Sequence, residues 1–143
     1  MDDRLVRAKW LGGFQVDVQA GAFDLRVDEP ERVGGTGTGP QPTDLLLSGV
    51  ASCFLLSLAY AAAKRDIVVE SIAVDVTGTY DGPRFSAIRI DVDIDAPEDV
   101  VATLIAAAER TCYVTNTLKR PPEITVVNRG ASWPRVQPPE RAR

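Results

Sequence analysis

GGTGTGPQPTDLLLSGVASCF, residues 34–54, joins a glycine–threonine run to an apolar stretch that carries a cysteine. Three readings compete for it: a phosphate cradle on a helix N-terminus, a membrane anchor, or the mount for a reactive thiol. The glycines at 35, 37 and 39 give G-x-G-x-G, not the G-x-G-x-x-G of a dinucleotide-binding turn, and no G-K-[ST] follows. Pro42 suits a first helical turn, and Thr43 and Asp44 suit a helix start. Residues 45–63 then hold no charge and end at Lys64-Arg65-Asp66. That 19-residue run approaches the length of a membrane span, but ten of its residues are Ala, Gly, Ser or Cys. In a water-soluble chain it reads as a central helix covered on every side, with small residues that let neighbours approach. The glycines in front of it read as a flexible lead-in.

The segments on either side carry period-two patterns. Phe14, Val16 and Val18 alternate with polar residues, as do Phe23, Leu25 and Val27, with Gly21 between the two runs. This predicts a hairpin with one buried face, and Leu5 to Trp10 add a further strand. Downstream, Ile72, Val74, Val76 and Tyr80 alternate up to the Asp81-Gly82-Pro83 turn. Ile88, Ile90, Val92 and Ile94 then alternate with Arg89, Asp91, Asp93 and Asp95, an antiparallel pair with one wet face. Glu98 and Asp99 open a second helix whose inward stripe is Val101, Leu104, Ile105, Ala108 and Cys112. Thr115 to Arg120 form a short helical turn stopped by Pro121-Pro122, and Ile124 to Val127 read as a last strand. The order β-β-β-α-β-β-α-β specifies an α+β fold with antiparallel sheets, not a doubly wound one. Residues 1–128 read as one domain, and the Pro- and Arg-rich residues 129–143 as a mobile tail.

Composition narrows the chemistry. The chain has 143 residues, a net charge of −4 and no histidine. The absent imidazole excludes Ser-His-Asp triads and Cys-His dyads and disfavours zinc sites. The acidic balance disfavours nucleic-acid binding. The charged N-terminal segment lacks a signal-peptide core, so a cytoplasmic location is expected. Two cysteines remain, Cys53 and Cys112. They are either inert core thiols or a redox pair, the latter only if the two helices cross near both of them.

The same stretch, followed far downstream by Cys112-Tyr113-Val114-Thr115-Asn116-Thr117-Leu118, resembles the OsmC/Ohr family of thiol-dependent peroxidases over residues 5–128. The resemblance implies an intertwined homodimer with sites at the subunit interface and no cofactor or metal. It implies Cys53 as the peroxidatic thiol, Cys112 as its resolving partner, a hydroperoxide substrate and an external dithiol reductant. In the organic-hydroperoxide branch an early-loop Arg supports the thiolate and a Glu after the helix-opening Pro holds it. Phe14 and Thr43 stand at those positions here. The nearest substitutes are Arg32 as the cation and Asp44, or Glu31, as its holder. A protein that keeps the fold and pocket but binds rather than reduces is the second reading.

Overall fold

A computed structural model describes residues 3–130. The N-terminal strands are β1 (Val6–Gly12), β2 (Gln15–Ala20) and β3 (Phe23–Val27), paired antiparallel in that order. Gly12 and Gly13 turn β1 into β2 with positive φ, and Gly21 does the same between β2 and β3. Helix α1 (Pro42–Lys64) follows the glycine loop, then β4 (Ile72–Tyr80) and β5 (Phe85–Ile94) form a second, two-stranded antiparallel sheet. Helices α2 (Glu98–Thr111) and α3 (Tyr113–Lys119) complete the described fold. The α+β class and both antiparallel sheets agree with the sequence patterns.

The core lies where α1, α2 and the β4–β5 sheet meet. Val50, Phe54, Leu58, Ala61 and Ala62 line the buried side of α1 at three- and four-residue steps. They meet Leu104, Ala107 and Ala108 of α2, with Val74, Val92 and Ile90 packed from the sheet. Leu58 and Leu104 are fully enclosed, so truncating either to Ala would cost about 2–5 kcal/mol. The serines of α1 bond back into their own helix: Ser48 to the Asp44 carbonyl, Ser52 to Ser48, Ser57 to Cys53.

Four expectations are revised. First, α1 is not covered on every side in the single chain: Leu56 and Tyr60 stay about two-thirds exposed, at 66% and 63%. Second, the apolar face of the β1–β3 sheet forms but is not buried. Register puts Val6, Ala20 and Phe23 in one row, Ala8, Val18 and Leu25 in the next, and Trp10, Val16 and Val27 in the third. Of the larger members, Trp10 and Phe23 are mostly exposed, and only Val27 is buried. Third, Ile124 to Val127 form no strand among the described residues. A strand needs a neighbour, and this segment has none among the described residues; Ile124 and Val126 stand almost fully exposed. The expected tail, residues 129–143, lies almost entirely outside the described residues.

Fourth, the glycine loop is clamped. Asp28, buried at the end of β3, accepts hydrogen bonds from the Glu29 amide (2.7 Å), the Thr36 amide and hydroxyl, and the Thr38 amide (3.1 Å) and hydroxyl (2.8 Å). Five donors on one carboxylate hold it well below the usual carboxylate range. The Thr36 hydroxyl contributes most, and burial, which opposes ionisation, is outweighed. Gln15 on β2 donates its side-chain amide to both threonine hydroxyls. Two glycines are demanded by close backbone approach: a Cβ on Gly35 would sit 1.9 Å from the Glu29 carbonyl oxygen, and one on Gly39 2.1 Å from that of Arg26. The loop thus fixes how β3 hands over to α1.

Candidate functional site

The two cysteines come together. Cys53 sits midway along α1, half-buried, and Cys112 stands fully buried at the junction of α2 and α3. Both are free thiols, and Cys53 packs against the core cluster that contains Cys112, near enough to favour its thiolate. The crossing of α1 and α2 that a redox pair requires is therefore present. No distance relationship in the sequence, where the two lie far apart, could have established it.

The backbone at Cys112 leaves the helical region (φ −70°, ψ 110°), ending α2 and starting α3. Asn116 holds that bend. Its side-chain amide donates to the Cys112 carbonyl (2.9 Å) and lies 3.3 Å from the carbonyls of Glu109 and Arg110. It thereby supplies the last carbonyls of α2, which a helix end otherwise leaves unpaired. Cys112 occupies the N-cap of α3, with Thr115 at the third helical position. The neutral thiol makes no regular cap bond. Burial pushes the Cys112 thiol up, but the Thr115 hydroxyl and amide, the Cys53 thiol and the Val114 amide favour the thiolate, and the net shift is down.

Arg32 and Asp44 sit elsewhere. Arg32 lies in a single 3-10 turn, Glu31–Val33, exposed, and makes no hydrogen bond or ion pair among the described residues. Glu31 beside it is also exposed. Asp44 occupies the first turn of α1 and accepts from the Gln41 side chain at 3.4 Å. Nine residues separate it from Cys53, about 13–14 Å along a helix. Among the described residues no group of acidic, cysteine or histidine side chains could hold a metal ion.

Two concavities lie beside α2 and α3, and neither is lined by Cys53 or Cys112. A mainly apolar groove of about 640 Å³, edged by Asp91, Glu109 and Lys119, runs between Phe54 of α1, Ile88 and Ile90 of β5, Ile105 of α2 and Leu118 of α3. Thr115 lines it too, so the groove reaches the first turn of α3, which starts just after Cys112. A second cleft, of about 680 Å³, lies behind the α2–α3 bend.

Residues 35–127 match the OsmC-like protein family. This chain belongs to that family. An uncharacterized protein of Haloferax volcanii is 30% identical over 112 residues, covering 75% of this chain and 80% of its own length. Among solved structures, an organic hydroperoxide resistance protein OsmC of Legionella pneumophila superposes with a TM-score of 0.61 at 20% identity, over 83% of this chain and 90% of that one. The organic hydroperoxide resistance protein OhrB of Bacillus subtilis gives 0.53 at 24% identity, over 81% and 90%. At these identities the structures establish the fold. In that fold α1, although long and apolar enough to cross a membrane, is the core helix against which α2 and β4 pack.

Thr115 was missed as a site residue by sequence reasoning. No local signal marked it: Cys112-x-x-Thr115 is not a capping box, and only the bend between α2 and α3 brings Thr115 close to Cys112. Asp28 was missed as well, since an acid followed by Glu29 and Glu31 looks solvated.

Proposed function

We propose that this OsmC-like protein reduces organic hydroperoxides with Cys53 and Cys112. The observation that carries the reading is that Cys53 and Cys112, far apart in sequence, share one packed region where α1 and α2 cross. The Cys53 thiolate attacks the distal oxygen of the hydroperoxide. The O–O bond breaks, the alkoxide leaves as an alcohol after taking a proton, and Cys53 becomes a sulfenic acid. The Cys112 thiolate attacks that sulfur, hydroxide leaves as water, and a Cys53–Cys112 disulfide forms. An external dithiol then returns both thiols by exchange. No cofactor enters this scheme. The apolar groove lined by Phe54, Ile88, Ile105 and Leu118 suits an alkyl or aryl substituent better than hydrogen peroxide. The names of the two solved relatives, organic hydroperoxide resistance proteins, support the same substrate class.

The reading includes a cytoplasmic homodimer, in which residues 1–128 form the domain. The exposed three-by-three apolar face of β1–β3 and the uncovered side of α1 both call for a partner surface. An exposed, unpaired Arg32 fits a cation delivered across such an interface, with Asp44 or Glu31 as its holder. The same exposure favours the second reading, a binding protein with little peroxidase activity, if no interface brings Arg32 to a thiol.

Stopped-flow oxidation with cumene hydroperoxide and with hydrogen peroxide separates them. Peroxidase chemistry predicts fast oxidation by the organic peroxide, no turnover in Cys53→Ser, and a single oxidation without a disulfide in Cys112→Ser. Equal, slow rates at the level of a free thiol in all three proteins would leave the binding reading.

A further inference from the structure

The cleft behind the α2–α3 bend is lined by Arg110, Thr111, Tyr113, Asn116, Thr117 and Arg120. It contains two guanidinium groups and no carboxylate, in a chain whose net charge is −4. Among the described residues neither Arg110 nor Arg120 has a side-chain hydrogen bond or ion pair, although Glu109 adjoins Arg110 in sequence. Arg110 stands in the last turn of α2, where a cation is favoured by the helix dipole. The carbonyls it could have capped are instead taken by Asn116. Arg110 lines the cleft with its side chain unpaired among the described residues.

We infer that this cleft binds a small organic molecule through a carboxylate or phosphate group held between Arg110 and Arg120. Planar guanidinium forks match both oxyanions, and two arginines lining one cleft without a protein counter-ion offer a site for one. The cleft, about 680 Å³ and open to solvent, has room for more than a bare ion. The Tyr113 ring supplies an apolar wall for the rest of the ligand, and the Thr111 and Thr117 hydroxyls add polar contacts. Thr111 and Tyr113 flank Cys112 in sequence, so an occupied cleft lies against the segment that presents the buried thiol. The thiols themselves do not line it, and the inference stands apart from the peroxidase reading.

The test is calorimetric titration of the reduced full-length protein with phenyl phosphate, benzoate, inorganic phosphate and, as a neutral control, benzyl alcohol. Saturable binding of phenyl phosphate or benzoate, with benzyl alcohol silent, is expected; which of the two binds tighter distinguishes the oxyanion. Arg110→Gln and Arg120→Gln should each weaken it about tenfold or more, the loss typical of a charged hydrogen bond. Lys64→Gln, which removes a positive charge elsewhere, should leave it unchanged. Absence of binding up to millimolar concentrations, equal loss in Lys64→Gln, or full affinity in both arginine variants would each overturn the inference.

Discussion

The Thr115 hydroxyl lies 3.4 Å from the Cys112 carbonyl, one helical turn after the thiol. From there Thr115 is the largest single influence favouring the thiolate at Cys112, ahead of the Cys53 thiol. Thr115→Val removes the hydroxyl and keeps the shape, so the Cys112 pKa should rise toward the ordinary thiol value. The wild-type pKa is depressed on folding, so the thiolate adds stability above the ordinary thiol pKa, and this is lost as pH falls through the folded value. The stability gap between wild type and Thr115→Val should therefore widen as pH rises into the thiol range. Urea melts across pH, with alkylation rates of Cys112 in a Cys53→Ser background, measure both effects. A gap that is flat with pH would show that Thr115 acts by packing alone.

Asn116 gives a second, pH-independent case. Its amide reaches the carbonyl of Cys112 and borders those of Glu109 and Arg110 at the bend between α2 and α3. Asn116→Ala leaves those carbonyls to solvent and should destabilise the fold by about 1–2 kcal/mol. The same change frees the bend that presents Cys112, so disulfide formation on oxidation should become slower. Denaturant melts give the first quantity, and non-reducing mass spectrometry over time gives the second.

What the sequence made legible follows from how local each signal is. The alternation of Ile88 to Ile94 against Ile72 to Val76 set both strands and their shared face, because period two is a property of each strand alone. Pro42 marked the first turn of α1 to the residue. The burial of the β1–β3 face was not legible, since alternation shows which side chains share a face but not what covers it. Ile124 to Val127 failed for the same reason: strand-forming residues without a strand beside them among the described residues. The nearness of the two thiols needed a tertiary crossing, and the clamp on Asp28 needed a loop to fold back over eight to ten residues.

The glycine loop separates two kinds of glycine. Gly37 has a positive φ of 64° and open space around its missing Cβ, so Gly37→Ala should cost about 1–2 kcal/mol from backbone strain alone. Gly35 and Gly39 face backbone oxygens closer than any Cβ can approach. Alanine at either must push the loop off β3, and both should be distinctly worse than Gly37→Ala in urea melts. Equal costs at all three positions would show that the loop relaxes freely.

Asp28 predicts the acid limb of stability. Its carboxyl is depressed on folding, so its contribution is complete above the ordinary carboxylate pKa of about 4 and is lost as pH falls below it. Asparagine cannot substitute: its amide group would face donors from Thr36, Thr38 and Glu29, which already point at both oxygens. Asp28→Asn should be less stable than wild type at neutral pH, and the difference should shrink as pH falls below about 4. Thermal melts between neutral and acid pH check this, and a difference that grows on acidification would contradict the sign.

The open face of the β1–β3 sheet predicts an oligomer. Its rows, Val6–Ala20–Phe23, Ala8–Val18–Leu25 and Trp10–Val16–Val27, put nine apolar side chains on one side of three strands. Trp10 is 71% and Phe23 75% exposed in the single chain. A contiguous apolar face of that kind is uncommon on a monomer in water and is covered in an assembly. Sedimentation velocity should find the wild type as a dimer at micromolar concentration. Trp10→Ser, which also removes the indole bond to the Gly13 carbonyl, and Phe23→Ser each expose less apolar surface and should shift the protein toward monomer. If the apolar face is the interface, Phe23→Ser should dissociate the dimer while leaving the monomer folded, because Phe23 packs against no buried core of its own chain. A wild type that sediments as a monomer would leave the face bare and remove the basis for an Arg32 delivered from a second subunit.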